Sequence, residues 1–302
     1  MKSRKLIAPS LSAILLMATL VRAVAEDPTE AAQTMIANEA KFVAMGLEQG
    51  TRAASLAFFA DDAILFEPGP VNAKKIWSAR TDEASPSLKW EPTLAGMARS
   101  CDLGFTTGPA EWRKKKEDEK PFGYGQYISI WKKQKDGAWK VAVDVGGGVP
   151  SGKKVEDPPE ISVSQFAIVA SPEAVKAAER NFREADKWFA TTAKTDSTAA
   201  LVGASSETIR VHREGVFPAN GREAANLMLS VRRGKLTSER LGGDMSQARD
   251  LAYSYGKYSL ERSQNTERGH YLQIWQTDAA GAWKLVLDFQ SPLRAAIQKV
   301  GE

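Results

Sequence analysis

Each half of this chain closes on an alternating run. Trp139, Val141, Val143 and Val145 interleave with Lys140, Ala142 and Asp144, while Trp283, Leu285, Leu287 and Phe289 interleave with Lys284, Val286 and Asp288. A period of two predicts strands with one apolar face covered by other elements. Lys135-Asp136-Gly137 and Ala279-Ala280-Gly281 precede these runs and read as hairpin turns, where glycine takes the positive φ the turn needs. A different spacing opens each half. Residues 29–49 set Met35, Ile36, Phe42, Val43 and Leu47 at mixed three- and four-residue intervals, which predicts a helix. Residues 172–193 predict another, with Ser171 as N-cap and Pro172 at the first helical position. Short strands over Ala63–Glu67 and Thr208–His212 follow, then short helices over Ala73–Ala79 and Arg222–Val231. Helix first, then a run of antiparallel strands, predicts an α+β fold with helices on one sheet face.

The two halves repeat one another. Gly125-Gln126-Tyr127-Ile128-Ser129-Ile130-Trp131 matches Gly269-His270-Tyr271-Leu272-Gln273-Ile274-Trp275, and the register continues through Trp139/Trp283 to Asp144/Asp288. Asp102-Leu103-Gly104-Phe105 matches Asp250-Leu251-Ala252-Tyr253, and Glu39 and Phe42 match Glu179 and Phe182. Gly146–Pro159, rich in glycine, proline and charge, reads as connecting chain. The expected organisation is a unit over 26–148, a linker over 149–171 and a second unit over 172–302.

The first 25 residues change the electrostatic picture. Lys2, Arg4 and Lys5, an apolar stretch from Leu11 to Val21, and Ala23-Val24-Ala25 before Glu26 form an export signal in the right order. An exported chain in a periplasm or outside the cell is expected, with no membrane attachment after cleavage. Four of the 41 basic residues lie in that segment and no acid does, so 37 of each sign remain. The basic balance therefore belongs to the leader and argues for no nucleic-acid partner. The cluster Arg113-Lys114-Lys115-Lys116 is followed at once by Glu117, Asp118 and Glu119 and reads as a solvated hairpin tip. Cys101 is the single cysteine, so apolar cores must hold the fold. His212 and His270 have no second histidine or cysteine at ligand spacing, so neither a metal nor a cofactor is expected. Gly146-Gly147-Gly148 lacks the following helix and lysine of a phosphate loop.

The segments "FFADDAILFEPG", "LKWEP", "SCDLGFTTGP" and "YGQYISIWKKQKDGAWKVAVD", in that order after a helix, resemble the nuclear transport factor 2-like superfamily. Within it they are most similar to the SnoaL-like, ketosteroid-isomerase-like branch of unknown function. The resemblance covers nearly all of residues 30–148 and, more weakly, 172–292. It implies two tandem cone-shaped domains, each a curved mixed sheet wrapped around helices (cystatin-like) with a pocket at the wide end. It also implies pairing through the sheets, here inside one chain as a pseudo-dimer that needs no second copy. The superfamily hosts many chemistries, so the fold selects none.

The steroid isomerases of this superfamily carry a catalytic aspartate just after the first strand. The resemblance puts Glu67 there, and in the second half it puts His212 at the matching place. A carboxylate or an imidazole can take and return a proton when its surroundings tune it. The isomerases' oxyanion donors have no counterpart: Phe42 and Val43 occupy the helix position, and no carboxyl group lies at Tyr127 to Ser129. Each such donor supplies about 2.7–4 kcal/mol, so steroid isomerisation is not expected. Trp90, Tyr127, Trp131, Tyr271 and Trp275 are candidates for an aromatic pocket, or else for core or sheet-to-sheet contact. Asp144 and Asp288 are candidate hydrogen-bonding groups at its mouth, or turn-binding structural acids. Asp102 and Asp250 read as structural. Three functions stay open: binding of a small apolar or ring-shaped molecule, proton abstraction or elimination with Glu67 or His212 as base, and a protein-interaction module.

Overall fold

The structure is a computed structural model that describes residues 26–81, 86–152, 155, 157–164 and 171–293. The export leader read over residues 1–25 lies outside the described residues. The first half runs α1 (Pro28–Gln49), α2 (Thr51–Phe58), β1 (Phe59–Phe66), β2 (Pro70–Asn72), α3 (Ala73–Ala79), β3 (Ser87–Trp90), β4 (Leu94–Met97), β5 (Leu103–Arg113), β6 (Gly123–Lys133), β7 (Trp139–Val149) and β8 (Glu160–Val163). The second runs α4 (Pro172–Ala193), α5 (Ser197–Ala204), β9 (Ser205–Arg213), β10 (Ala219–Asn220), α6 (Arg222–Ser230), β11 (Lys235–Met245), β12 (Leu251–Glu261), β13 (Thr266–Thr277) and β14 (Trp283–Pro292). The fold is α+β with two mixed sheets. One follows the order β2-β1-β7-β6-β5-β4-β8 and the other β10-β9-β14-β13-β12-β11. In each, the first long strand pairs parallel with the last, and the remaining long strands pair antiparallel.

Local chemistry sets the element ends. Asp27 caps α1 by accepting from the Thr29 and Glu30 amides, and Ser171 caps α4 by accepting from the Ala174 amide at 3.2 Å. Gly137 (φ 85°) and Gly281 (φ 80°) turn the hairpins before β7 and β14. The chain read as linker is partly built into the sheet. Gly146–Val149 finish β7, and Glu160–Val163 form β8, which pairs parallel with β4. Its ladder with an open sheet edge outweighs the low strand propensity of the flanking glycines and prolines.

The alternating runs differ from their expected packing. A β-bulge sits opposite Ile130 and Trp131, so Val141 and Val143 are separated by an extra residue in the ladder. Trp139 and Val141 therefore pack under the helices, while Val143 and Val145 pack on the opposite face. The same bulge recurs between Leu285 and Leu287. One inserted residue flips every later side chain. Both faces of these strands are consequently covered.

The two sheets meet back to back through Phe105, Ile128, Ile130, Val143 and Val145 from one half and Leu272, Ile274, Leu287 and Phe289 from the other. Each such side chain contributes roughly 1.5–3 kcal/mol on burial, which outweighs the exposed Lys132–Asp244 ion pair at the rim. At one end the contact is reciprocal. Asp250 accepts from the Arg99 amide at 2.9 Å, and Asp102 accepts from the Gln247 amide at 3.0 Å. Cys101 (φ 55°) and Arg249 (φ 58°) hold matching left-handed positions in those two turns. Mutual capping of one turn by the other has the logic of a two-fold interface.

Candidate functional site

On the helix-covered side of the first sheet, between it and helices α1 to α3, lies a cavity of about 670 Å3. Its walls are Phe42 of α1, Phe59 and Leu65 of β1, Trp77 of α3, Trp90 of β3, Trp112 of β5, Tyr127 of β6 and Asp144 of β7. The second half closes part of its mouth. Glu214 accepts from the Gly148 amide at 3.0 Å, the Gly215 amide donates to the Gly148 carbonyl at 2.9 Å, and Ser291 to Leu293 complete the rim. The triple glycine earns its place here: a Cβ on Gly147 or Gly148 would sit 3.2 Å from the Glu214 carboxylate.

A buried acid organises the cavity floor. Glu39 lies fully buried on α1 and accepts from Trp90 Nε1 at 2.5 Å, from Trp131 Nε1 at 2.8 Å and from the Thr106 hydroxyl. Burial holds its carboxyl above the usual range, against the pull of those three donors. Glu39 thereby fixes the indole of Trp90, which also meets Phe42 edge-on at 4.9 Å. Met35, Glu39 and Phe42 share one face of α1 at helical spacing. An acid on an otherwise apolar helical stripe is the sequence signal for this residue, beyond its match to Glu179.

Two residues with polar groups line the cavity from the sheet, Asp144 and Tyr127. The bulge turns Asp144 inward, where its Oδ2 accepts from Ser129 Oγ at 3.3 Å. The residue is half-buried and lines the cavity. Burial, then the nearby Glu39 charge, pushes its carboxyl up to about 8, opposed by the Ser129 hydrogen bond. No Lys or Arg among the described residues contributes. The Tyr127 hydroxyl lies beside Thr106 without a well-aligned hydrogen bond among the described residues, and burial raises it well above its ordinary value.

The remaining sequence candidates fall elsewhere. Glu67 is half exposed and paired with Arg80 at the surface; Phe66 and Pro68 beside it have cavity contact, but Glu67 is absent from the lining. His212 does not match Glu67. Asp144 lies beside Leu65 and Asp288 beside Val211, so the ladder equates His212 with Phe66 and Arg213 with Glu67. The alignment slips by one residue, and a one-residue shift changes the face. His212 accordingly looks away from the helices, beside a groove of about 370 Å3 shared with Thr93, Pro109 and Gln126 of the first half. Burial and the charges of Arg210 and Arg213 push it down to about 3, too weak a base for proton abstraction near neutrality.

Trp131 is fully buried beneath the cavity, outside its lining, with Phe58 edge-on at 6.3 Å. Trp275 is likewise core, edge-on to Phe182 and Phe189, and Tyr271 packs in the same cluster. Asp288 is fully buried in an ion pair with Arg213 at 2.7 Å and accepts from Gln273 Nε2 at 2.8 Å. The space left beside Arg213 is about 20 Å3, room for no more than a water molecule. Tyr271, Trp275 and Asp288 thus hold a solid core and line no ligand site there, because Arg213 and the larger apolar side chains fill it. Trp77 and Trp112 were missed: neither lies in the repeated segments, and only the fold turns them inward.

Among the described residues no group of His, Cys, Asp or Glu could hold a metal ion, and no helix is long and apolar enough to cross a membrane. No family model matches the sequence, and no curated protein does. Among solved structures, the chain is similar to a nuclear transport factor 2-like protein of unknown function from Shewanella oneidensis (15% identity, 37% of this chain, 97% of that one, TM-score 0.32). It is similar to another such protein from Pseudomonas putida (12%, 40%, 91%, TM-score 0.34). It is also similar to a Mycobacterium tuberculosis protein solved in complex with estradiol-17β-hemisuccinate (10%, 36%, 92%, TM-score 0.31). Each likeness spans about two-fifths of this chain or less.

Proposed function

We propose that this protein is an exported binder of a small, largely apolar, ring-containing molecule, held in the first-half cavity. Residues 1–25 are its export leader in this reading, and the two halves are versions of one cone-shaped unit paired inside the chain. One observation carries the reading: an aromatic cavity of about 670 Å3 lined by a half-buried carboxyl, Asp144, and by Tyr127. That volume and that mixture of many apolar walls with few polar groups are characteristic of small-ligand sites. The second half serves as partner and rim, its own core being filled.

The test uses N-phenyl-1-naphthylamine, a neutral two-ring dye whose emission rises in apolar sites. The expected result is one saturable site, weakened at least tenfold in Ala110→Trp, which fills the cavity from β5. Dye binding that ignores Ala110→Trp would remove the reading. A second reading, proton transfer, is favoured by Asp144, whose pKa of about 8 suits an acid–base role near neutrality. It requires turnover that Asp144→Asn abolishes and Glu67→Gln leaves intact.

A further inference from the structure

The two halves place the same aspartate under the same strand but complete it differently. In the second half, Arg213 leaves the end of β9 two residues past the partner of Asp288 and folds back under the sheet. Its Nη2 meets Asp288 Oδ2 at 2.7 Å, and its Nη1 donates to the carbonyls of His212 (2.8 Å) and Asp288 (3.3 Å). In the first half the ladder position of Arg213 belongs to Glu67, which turns outward to Arg80 and is followed by Pro68. No side chain of the described residues brings a positive charge to Asp144, and the space that a guanidinium fills beside Asp288 corresponds to cavity beside Asp144. Ser129 stands where Gln273 stands in the other half, and each hydrogen-bonds its own aspartate.

Resting on the cavity reading above, we propose that the ligand is cationic, bearing a protonated amine, amidinium or guanidinium that docks on Asp144 as Arg213 docks on Asp288. The walls suit such a ligand. Trp90 and Trp112 line the cavity, and aromatic rings attract cations; the Trp77 ring already does so, with the Arg80 guanidinium 4.4 Å from its centroid. A buried ion pair is costly unless further hydrogen bonds complete it. The filled half shows that this framework completes one, with two carbonyls and a side-chain amide.

The experiment compares benzamidinium with its neutral isostere benzamide by calorimetry at pH 6, 7, 8 and 8.5, in buffers of different ionisation heat. Free Asp144 is protonated below about pH 8 and must lose its proton to pair with a cation. The expected result is benzamidinium affinity rising about tenfold from pH 6 to 7 and about fivefold from pH 7 to 8, with close to one proton released per ligand at pH 6 and 7 and about half a proton at pH 8. Benzamide should bind at least tenfold more weakly at pH 8.5, and Asp144→Asn should erase the preference. Equal binding of the two probes without proton release would overturn the proposal, whether or not the Asp144→Asn protein folds. If neither probe binds while the naphthylamine dye still binds and Ala110→Trp still blocks it, the cationic ligand is refuted and the cavity reading stands. If the dye fails as well, both fall together.

Discussion

Replacing Asp144 by asparagine removes a charge that the fold holds at a cost, and the size of that cost follows from the site. The carboxyl rises from 3.8 in the unfolded chain to about 8 in the native protein, driven by burial and by Glu39. A carboxyl raised by folding binds its proton more tightly in the native state. Its penalty is absent below pH 3.8, grows as pH rises toward 8 and is constant above. One pKa unit is about 1.4 kcal/mol, so ionisation costs about 2 kcal/mol at pH 5 and about 5 kcal/mol at pH 8. Water entering the cavity screens part of this, and about half of each figure is the expected gain for Asp144→Asn. At 2–4 °C per kcal/mol for a protein of this size, the melting temperature should rise by a few degrees at pH 5 and by roughly three times as much at pH 8. Calorimetric scans of both proteins at the two pH values make the measurement. A difference in melting temperature that is the same at pH 5 and pH 8 would refute the reasoning, because it would place Asp144 in solvent or beside a cation.

Three further outcomes are expected. Arg213→Met leaves Asp288 buried and unpaired and should cost about 3–5 kcal/mol in urea denaturation; adding Asp288→Leu should restore most of it. Glu39→Ala orphans the indole N–H groups of Trp90 and Trp131 and the Thr106 hydroxyl, at about 1–3 kcal/mol each. It should also weaken naphthylamine binding by freeing the Trp90 ring, whereas a merely structural loss would leave the affinity of the folded fraction unchanged. Glu67→Gln breaks only the surface pair with Arg80, worth about 1 kcal/mol or less, and should leave stability and dye binding within error.

The local order of the chain was open to reading from its residues. Helical spacing around Met35 and Phe42, the Ser171-Pro172 start and the glycines at 137 and 281 determine helices and turns, because those preferences act within a few residues. The repeat of Gly125–Trp131 in Gly269–Trp275 was visible because identity survives translation along the chain. The facing of Asp144 was not. Strict alternation sets it opposite Trp139, but a bulge opposite Ile130 and Trp131 brings both to the helix side, and a bulge is decided by two ladders meeting. The one-residue slip between His212 and Glu67 has the same origin, since strand register is a tertiary quantity. The cavity is also tertiary. Sequence alone made Asp144 and Asp288 equivalent; whether a neighbouring arginine fills the space beside each was decided by how Glu67 and Arg213 leave their strands.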